Sequence, residues 1–281
     1  MRALKYHGAW NVALEEVPDL RATGPDDVVV DIRFCGICGT DLGIVSGSYP
    51  IAVPGVTLGH EATGVVAECG PAVTNVKVGD RVVINPTPYC GQCRMCRTQR
   101  INHCVNKMGT ESGVSYDGAF ADRFLTTSRF VHVLPDHVSL QAAALTEPLS
   151  CVLSGVRKIQ PPSMAAYTYV FGAGPLGLLY AWALSLKGLA PAVIETSPER
   201  LSFAQDRLPD GPAPTLPSTT PAAATFRQYG RAPRRRGRHH LGAARRALST
   251  DGMRWDLHVD RSEGEAVRRS TACTSRTAAC R

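Results

Sequence analysis

The chain has 281 residues, 44% hydrophobic and 20% charged, with a formal net charge of +7, a length that admits two domains. The charge is lopsided: residues 1–207 carry 17 Lys+Arg against 18 Asp+Glu, a net of −1, and residues 208–281 carry 14 Arg against 6 acids, a net of +8. The whole basic excess therefore lies in the tail, and the high isoelectric point gives no ground for reading the body as a binder of nucleic acid or membrane.

From the N-terminus to about residue 160 the chain reads as β-rich. Met1–Tyr6, Trp10–Val17, Asp27–Phe34, Ala62–Glu68 and Arg81–Ile84 alternate or run in β-branched residues. Gly24-Pro25, Pro50, Pro54-Gly55 and Gly70-Pro71 punctuate them. Helical periodicity is expected only near Leu140–Lys158. Between the last of these strands and that helix lie Cys90, Cys93, Cys96 and Cys104, spaced C-x2-C-x2-C-x7-C. Thiolates so spaced converge on one tetrahedral ion, and four of them close a structural zinc site. No secretory leader is expected, so a cytoplasmic location is, and a disulfide knot is disfavoured.

Ile159 to Leu186 holds no charged residue, long enough to cross a bilayer. Pro161-Pro162 and a Gly-Ala-Gly-Pro turn interrupt it, however, so it reads as buried strand, turn and buried helix, with no membrane role. Tyr167–Phe171 is the expected strand, and Gly172-x-Gly174-x-x-Gly177, with Pro175 and Leu176 between, opens the helix. In that context the three glycines serve a tight turn, backbone approach to a pyrophosphate and close helix–strand packing. A second strand, Pro191–Ile194, ends in Glu195, an acid placed to bind ribose hydroxyls and repel a 2′-phosphate. That favours NAD over NADP, with Arg200 close by on the next helix, which runs from Pro198 to about Leu208.

After Leu208 the character changes. Residues 209–221 hold five prolines, the run Arg234-Arg235-Arg236-Gly237-Arg238 follows, and isoleucine and lysine disappear. No third strand of a dinucleotide fold is expected there. The tail has the composition of a shifted reading frame of a GC-rich gene. The competing reading, a basic arm for nucleic acid, lacks aromatic interleaving and any base-reading motif, so a nucleic-acid partner is disfavoured.

Other motifs gather around the cysteine lobe: Cys38-Gly39-Thr40-Asp41, Gly59-His60-Glu61 and the turn Gly79-Asp80-Arg81 before it, and Glu147-Pro148-Leu149 after it. In this order, and with the Gly172–Gly177 motif, residues 1 to about 207 resemble the zinc-dependent medium-chain alcohol and polyol dehydrogenases, the group of sorbitol and threonine dehydrogenases. The resemblance implies an α/β protein. It would have a chaperonin-10-like β-barrel catalytic domain (1–160) with a structural zinc lobe (88–106), and an incomplete Rossmann domain (161–208) before the aberrant tail (209–281).

It also implies two zinc ions per chain, NAD, and a small secondary alcohol (a polyol, sugar alcohol or amino alcohol) as substrate. Family members are often homo-oligomers, through a region not found in this sequence. A catalytic zinc needs about three protein ligands and an open position. Cys38 and His60 suit it best, and Glu61 and Glu147 compete for the next place. Asp41 is the partner expected to hold the free nitrogen of His60, and Thr40 the hydroxyl that takes the substrate proton. Many members carry a histidine three residues after that hydroxyl, where this chain has Gly43. The Cys35/Cys38 pair is discounted as a redox motif, Cys69 and Cys151 are expected to be buried, and His7, His103, His132 and His137 have no role. The alternative function is an inactive remnant that keeps only the structural zinc.

Overall fold

The computed structural model describes residues 1–107, 109, 111–159, 168–189 and 191–208, and the backbone of Thr215–Pro217. The first unit begins with a hairpin, β1 (Arg2–Gly8) and β2 (Asn11–Glu16). Then come β3 (Asp27–Gly36), β4 (Glu61–Cys69), β5 (Arg81–Ile84), β6 (Arg123–Thr127) and β7 (Val131–Val133). They form one antiparallel sheet in the order β6-β3-β4-β5-β7. Isolated bridges at Ala3–Ala121 and Lys5–Thr57 dock the hairpin onto it.

The β-branched runs explain the curl of this sheet around its core. Val28 and Val30 of β3, Val66 of β4 and Val82 of β5 are fully enclosed with Ile44, Leu58 and Val114. Each such side chain contributes about 1.5–3 kcal/mol by leaving water. Val29, on the opposite face of β3, is also fully buried, so this strand is covered on both sides there. At Gly64 a side chain would drive into the Asp31 carbonyl across the β3–β4 ladder, so glycine there sets how closely the two strands approach.

Short helices decorate this unit. The first, α1 (Gly39–Val45), follows β3, and α2 (Arg94–Arg97) sits inside the cysteine lobe. Next come α3 (Leu140–Ala143) and the longer α4 (Thr146–Lys158). The expectation of helix only near residues 140–158 is corrected at α1, a seven-residue element whose two glycines hide its periodicity. Strands β6 and β7 were likewise not legible, being only five and three residues long.

The second unit is parallel. Strand β8 (Thr168–Phe171) leads through α5 (Pro175–Leu186) to β9 (Pro191–Glu195), and α6 (Pro198–Arg207) leads to β10 (Thr215–Pro217). The order β10-β9-β8 is that of two βαβ crossovers. The expected absence of a third strand is therefore corrected: Thr215, Leu216 and Pro217 pair with Val193, Ile194 and Glu195. Three residues among prolines carry no alternation to read, and an edge strand tolerates proline because one side of it needs no donor. Pro191 through Glu195 are all buried, as a central parallel strand requires. Residues 218–281, including the arginine run, lie outside the described residues, as do 160–167.

Among the described residues no helix is long and apolar enough to cross a membrane. The uncharged run from Ile159 resolves into β8, a turn and α5 wherever it is described.

Candidate active site

The four cysteines of the lobe do meet. The Sγ atoms of Cys90, Cys93, Cys96 and Cys104 all lie within 4.8 Å of one another. Three of the separations are 3.9 Å (Cys90–Cys96), 3.5 Å (Cys93–Cys96) and 4.0 Å (Cys93–Cys104). A tetrahedron of thiolates around zinc has edges of about 3.8 Å, given bonds of about 2.3 Å. The donors fit a zinc ion in number, chemistry and spacing.

Backbone N–H groups point at the sulfurs as well. Cys93 N donates to Cys90 Sγ at 3.3 Å, Cys96 N to Cys93 Sγ at 3.5 Å and Cys90 N to Cys104 Sγ at 3.4 Å. These bonds favour thiolate. The N–H groups of Cys96 and Val105 bring the Cys93 thiol down to about 6, whereas burial pushes Cys96 up to about 12. The lobe is fixed to the barrel by aromatic contact: Tyr89 meets the Phe130 ring edge-on at 5.3 Å, and the Arg129 guanidinium lies 5.6 Å from the Tyr89 centroid.

The second cluster is assembled by the fold. Cys38 is the residue before α1, His60 immediately precedes β4 and Glu61 opens it; Glu61 pairs across the ladder with Gly36. One donor atom from each of Cys38, His60 and Glu61 lies within 4.8 Å of the others. Two glycines make this possible. Gly59 is in the left-handed region (φ 93) against the Phe120 ring, and a side chain at Gly36 would collide with the Glu61 carboxylate. His60, Glu61 and Asp41 are 5%, 8% and 2% exposed, so their polar atoms have almost no access to water.

Asp41 acts twice. Its Oδ2 accepts from Cys38 N at 2.8 Å, capping α1, and its Oδ1 stands 3.6 Å from His60 Nδ1. Neither Asp41 Oδ1 nor His60 Nδ1 has a hydrogen-bond partner, so the expected pairing is present as proximity and falls just short of a hydrogen bond. A metal held through Nε2 would leave the ring proton on Nδ1 and give Asp41 its part as partner.

The charges of the cluster are unbalanced. Burial, the largest cause in each case, pushes the carboxyls of Asp41, Glu61 and Glu147 up, and the nearest opposing charge for all three is His60. Burial alone would lower His60, but the Cys38 thiol and the neighbouring acids raise it to about 9. A thiol and three acids sharing one imidazole suit a divalent cation.

Of the two acids, Glu61 has an oxygen within 4.8 Å of the Cys38 and His60 donors, and Glu147 is not in that group. Glu147 sits in the first turn of α4, where it lines a pocket of ≈ 290 Å³ with Asn85, His132 and Ser150. Its Oε1 accepts from Cys151 Sγ at 3.6 Å. Cys151 was expected to be buried; it is exposed, on the same pocket wall. Its spacing of four residues from Glu147 on a helix was the available sign that the two side chains meet. Thr40 is half-buried in the first turn of α1, two residues after Cys38.

The glycine loop follows the expected division of labour. Gly172 takes a positive φ of 100, Gly174 caps α5 with open space where a side chain would stand, and a side chain at Gly177 would collide with the Gly172 carbonyl. Pro175 and Leu176 are the first two residues of α5.

Glu195 is buried at the end of β9 and engaged. Oε2 accepts from Ala173 N at 2.8 Å, while Oε1 accepts from Thr196 N (2.6 Å), Thr196 Oγ1 (3.0 Å) and Ser197 N (3.0 Å). Burial pushes its carboxyl up, but these donors, Ser197 and Ala173 first, outweigh it and hold the group below the usual range. Sequence alone indicated an acid facing the cofactor and missed that the acid also holds the loop. Arg200 is exposed on α6.

Comparison with known proteins gives a consistent result. Residues 24–136 match the alcohol dehydrogenase GroES-like domain. The chain is similar to D-xylulose reductase A of Aspergillus niger, 36% identical over 206 residues, which are 70% of this chain and 56% of that protein. It is also similar to sorbitol dehydrogenase of Halalkalibacterium halodurans, 37% identical over 176 residues, 62% of this chain and 50% of that one. The chain thus spans about half the length of the curated relatives it matches. Among solved structures, 2R,3R-butanediol dehydrogenase from Bacillus subtilis superimposes with a TM-score of 0.67 at 30% identity, covering 82% of this chain and 67% of that one.

Proposed function

The chain belongs to the zinc-dependent medium-chain alcohol and polyol dehydrogenases, and from that premise we propose that it oxidises a secondary alcohol of a polyol, sugar alcohol or amino alcohol with NAD. The observation that carries this reading is the convergence of Cys38, His60 and Glu61, with one donor atom of each within 4.8 Å of the others and with His60 and Glu61 buried. Zinc held there supplies Lewis-acid polarisation of a hydroxyl oxygen, and a bound nicotinamide supplies the hydride acceptor.

The protein's own groups do the rest. Cys38 and Glu61 would bring negative charge to the metal position, and Asp41 Oδ1, 3.6 Å from His60 Nδ1, would orient the ring once a metal is bound. Thr40, in the first turn of α1, would take the substrate proton and pass it outward. Gly43 offers no side chain to continue that relay, so water or the cofactor ribose must. The four-cysteine lobe takes the second zinc. The glycine loop and Glu195 receive the adenosine half, and the acid supports NAD over NADP because a 2′-phosphate there would face a carboxylate. No nucleic-acid or membrane role is part of this reading, and the oligomeric state expected is the family's.

A second reading has its own support: the Arg- and Pro-rich composition after Leu208. On it, the protein binds the structural zinc of the cysteine lobe and turns over little or no NAD. One experiment decides between them. Protein of verified mass, with its zinc content measured, is mixed with xylitol or sorbitol and NAD or NADP. NADH formation dependent on the polyol supports the dehydrogenase. Zinc in the cysteine lobe with no polyol-dependent turnover supports the remnant.

A further inference from the structure

The dehydrogenase reading leaves one contact unused, and it lies beside the metal cluster. Glu147 opens α4, and Cys151 follows it by one helical turn, so their side chains share a face. The Cys151 thiol donates to Glu147 Oε1 across 3.6 Å. Both residues line the same ≈ 290 Å³ pocket. Glu147 stands outside the group of donors formed by Cys38, His60 and Glu61, although its charge is felt at His60 and Glu61.

Of the two acids available to the metal, one is thus placed within reach and the other is held back, and the group that holds it back is a side chain. We infer that Cys151 is a positioning residue: its thiol anchors Glu147 on the α4 wall, so that Glu61 completes the donor set and Glu147 stays free on the substrate side. The reasoning is geometric. A carboxylate on a long side chain rotates freely between the helix and the cluster unless something holds one oxygen. A neutral thiol does so without adding a charge beside Glu147, whose own charge already acts on Glu61 and His60. A valine or leucine in this place could fill the same space but could not hold the oxygen. This inference rests on the proposed metal centre, and its test separates the two.

Zinc is left in the cysteine lobe, and Co(II) is titrated into the second site. Its visible ligand-field bands are recorded as the difference from Cys38→Ala. In Cys151→Ala, the released Glu147 adds a donor, and the bands weaken and shift. Cys151→Ser keeps a hydrogen-bond donor and should retain the wild-type bands. The double variant Cys151→Ala/Glu147→Gln should recover them, since the amide is a poor ligand. If Cys151→Ala binds Co(II) with wild-type bands, the inference is overturned while the metal centre stands. If Cys151→Ser changes the bands as much as Cys151→Ala does, bulk rather than hydrogen bonding is at work, and the inference is likewise overturned. Failure of wild-type protein to bind any Co(II) that depends on Cys38 overturns the metal centre and the inference with it.

Discussion

The two clusters of metal-type donors are built in opposite ways. The four cysteines of the lobe lie within fifteen residues, and their own backbone N–H groups turn toward the sulfurs. Local chain geometry brings them together, with little help from the rest of the protein. Cys38, His60 and Glu61 come from the end of β3 and the start of β4, and they meet only because those strands pair in one register and glycines at 36 and 59 leave room. The first site is a property of a segment. The second is a property of the fold. A site of the second kind is lost whenever the barrel is disturbed, whereas the lobe should outlast moderate damage to its surroundings.

That contrast can be broken most sharply at Gly64. A methyl group there meets the Asp31 carbonyl across the ladder, and Gly64→Ala should cost more than about 4 kcal/mol. Metal analysis should show the second zinc lost and the lobe zinc retained. Loss of both at once would mean that the lobe depends on the barrel after all.

The next effect concerns carboxylates, which the molecule also treats in two ways. Glu195 is held down by four donors, whereas Asp41, Glu61 and Glu147 are pushed up by burial. Glu195→Ala leaves buried N–H groups unpaired and should cost about 3 kcal/mol at neutral pH. The folded carboxyl lies below its unfolded value, so its stabilisation is complete above the unfolded value and is lost as pH falls through the folded one. Melting curves of wild type and Glu195→Ala should therefore converge in acid. A gap that stays constant down to strongly acidic pH would show that the carboxylate's charge is irrelevant.

A smaller effect is expected at Asp41→Asn. The amide oxygen can still cap α1, so thermal stability should change little, but the orienting charge behind His60 is gone. Affinity for the second metal should fall about 10–100-fold, measured by competition with a chelating dye; unchanged affinity would leave Asp41 only its helix-capping role. The smallest is Arg129→Ala. Removing the guanidinium from Tyr89 should cost about 1 kcal/mol and loosen the lobe from the barrel without releasing its ion. Zinc loss in that variant would contradict the self-sufficiency of the lobe.

The same distinction explains what could be read in the sequence. The lobe was legible as spacing, because its geometry is local. The glycine loop was legible too, since Gly172, Gly174 and Gly177 act within one strand–turn–helix segment. The closer grouping of Glu61 than of Glu147 with Cys38 and His60 was not, because it depends on where β4 and α4 stand relative to Cys38. Nor was Gly36, whose importance is visible only across the strand from Glu61. Strands β6, β7 and β10 escaped notice for a simpler reason: a segment of three to five residues shows too few alternations to separate from loop. Cys151 was assigned to the core by residue type, and its helix position would have corrected that.

The grip of Glu195 sets a limit on how this protein could be re-engineered. One side chain joins the backbone at Ala173 to the turn at Thr196 and Ser197, tying together the two loops at the ends of β8 and β9. On the proposed NAD reading, replacing it to welcome a 2′-phosphate would remove a repulsion and a clasp in the same stroke. A change of cofactor preference at this position therefore calls for at least two substitutions: one that admits the phosphate, and one elsewhere that restores the alignment of the two loops.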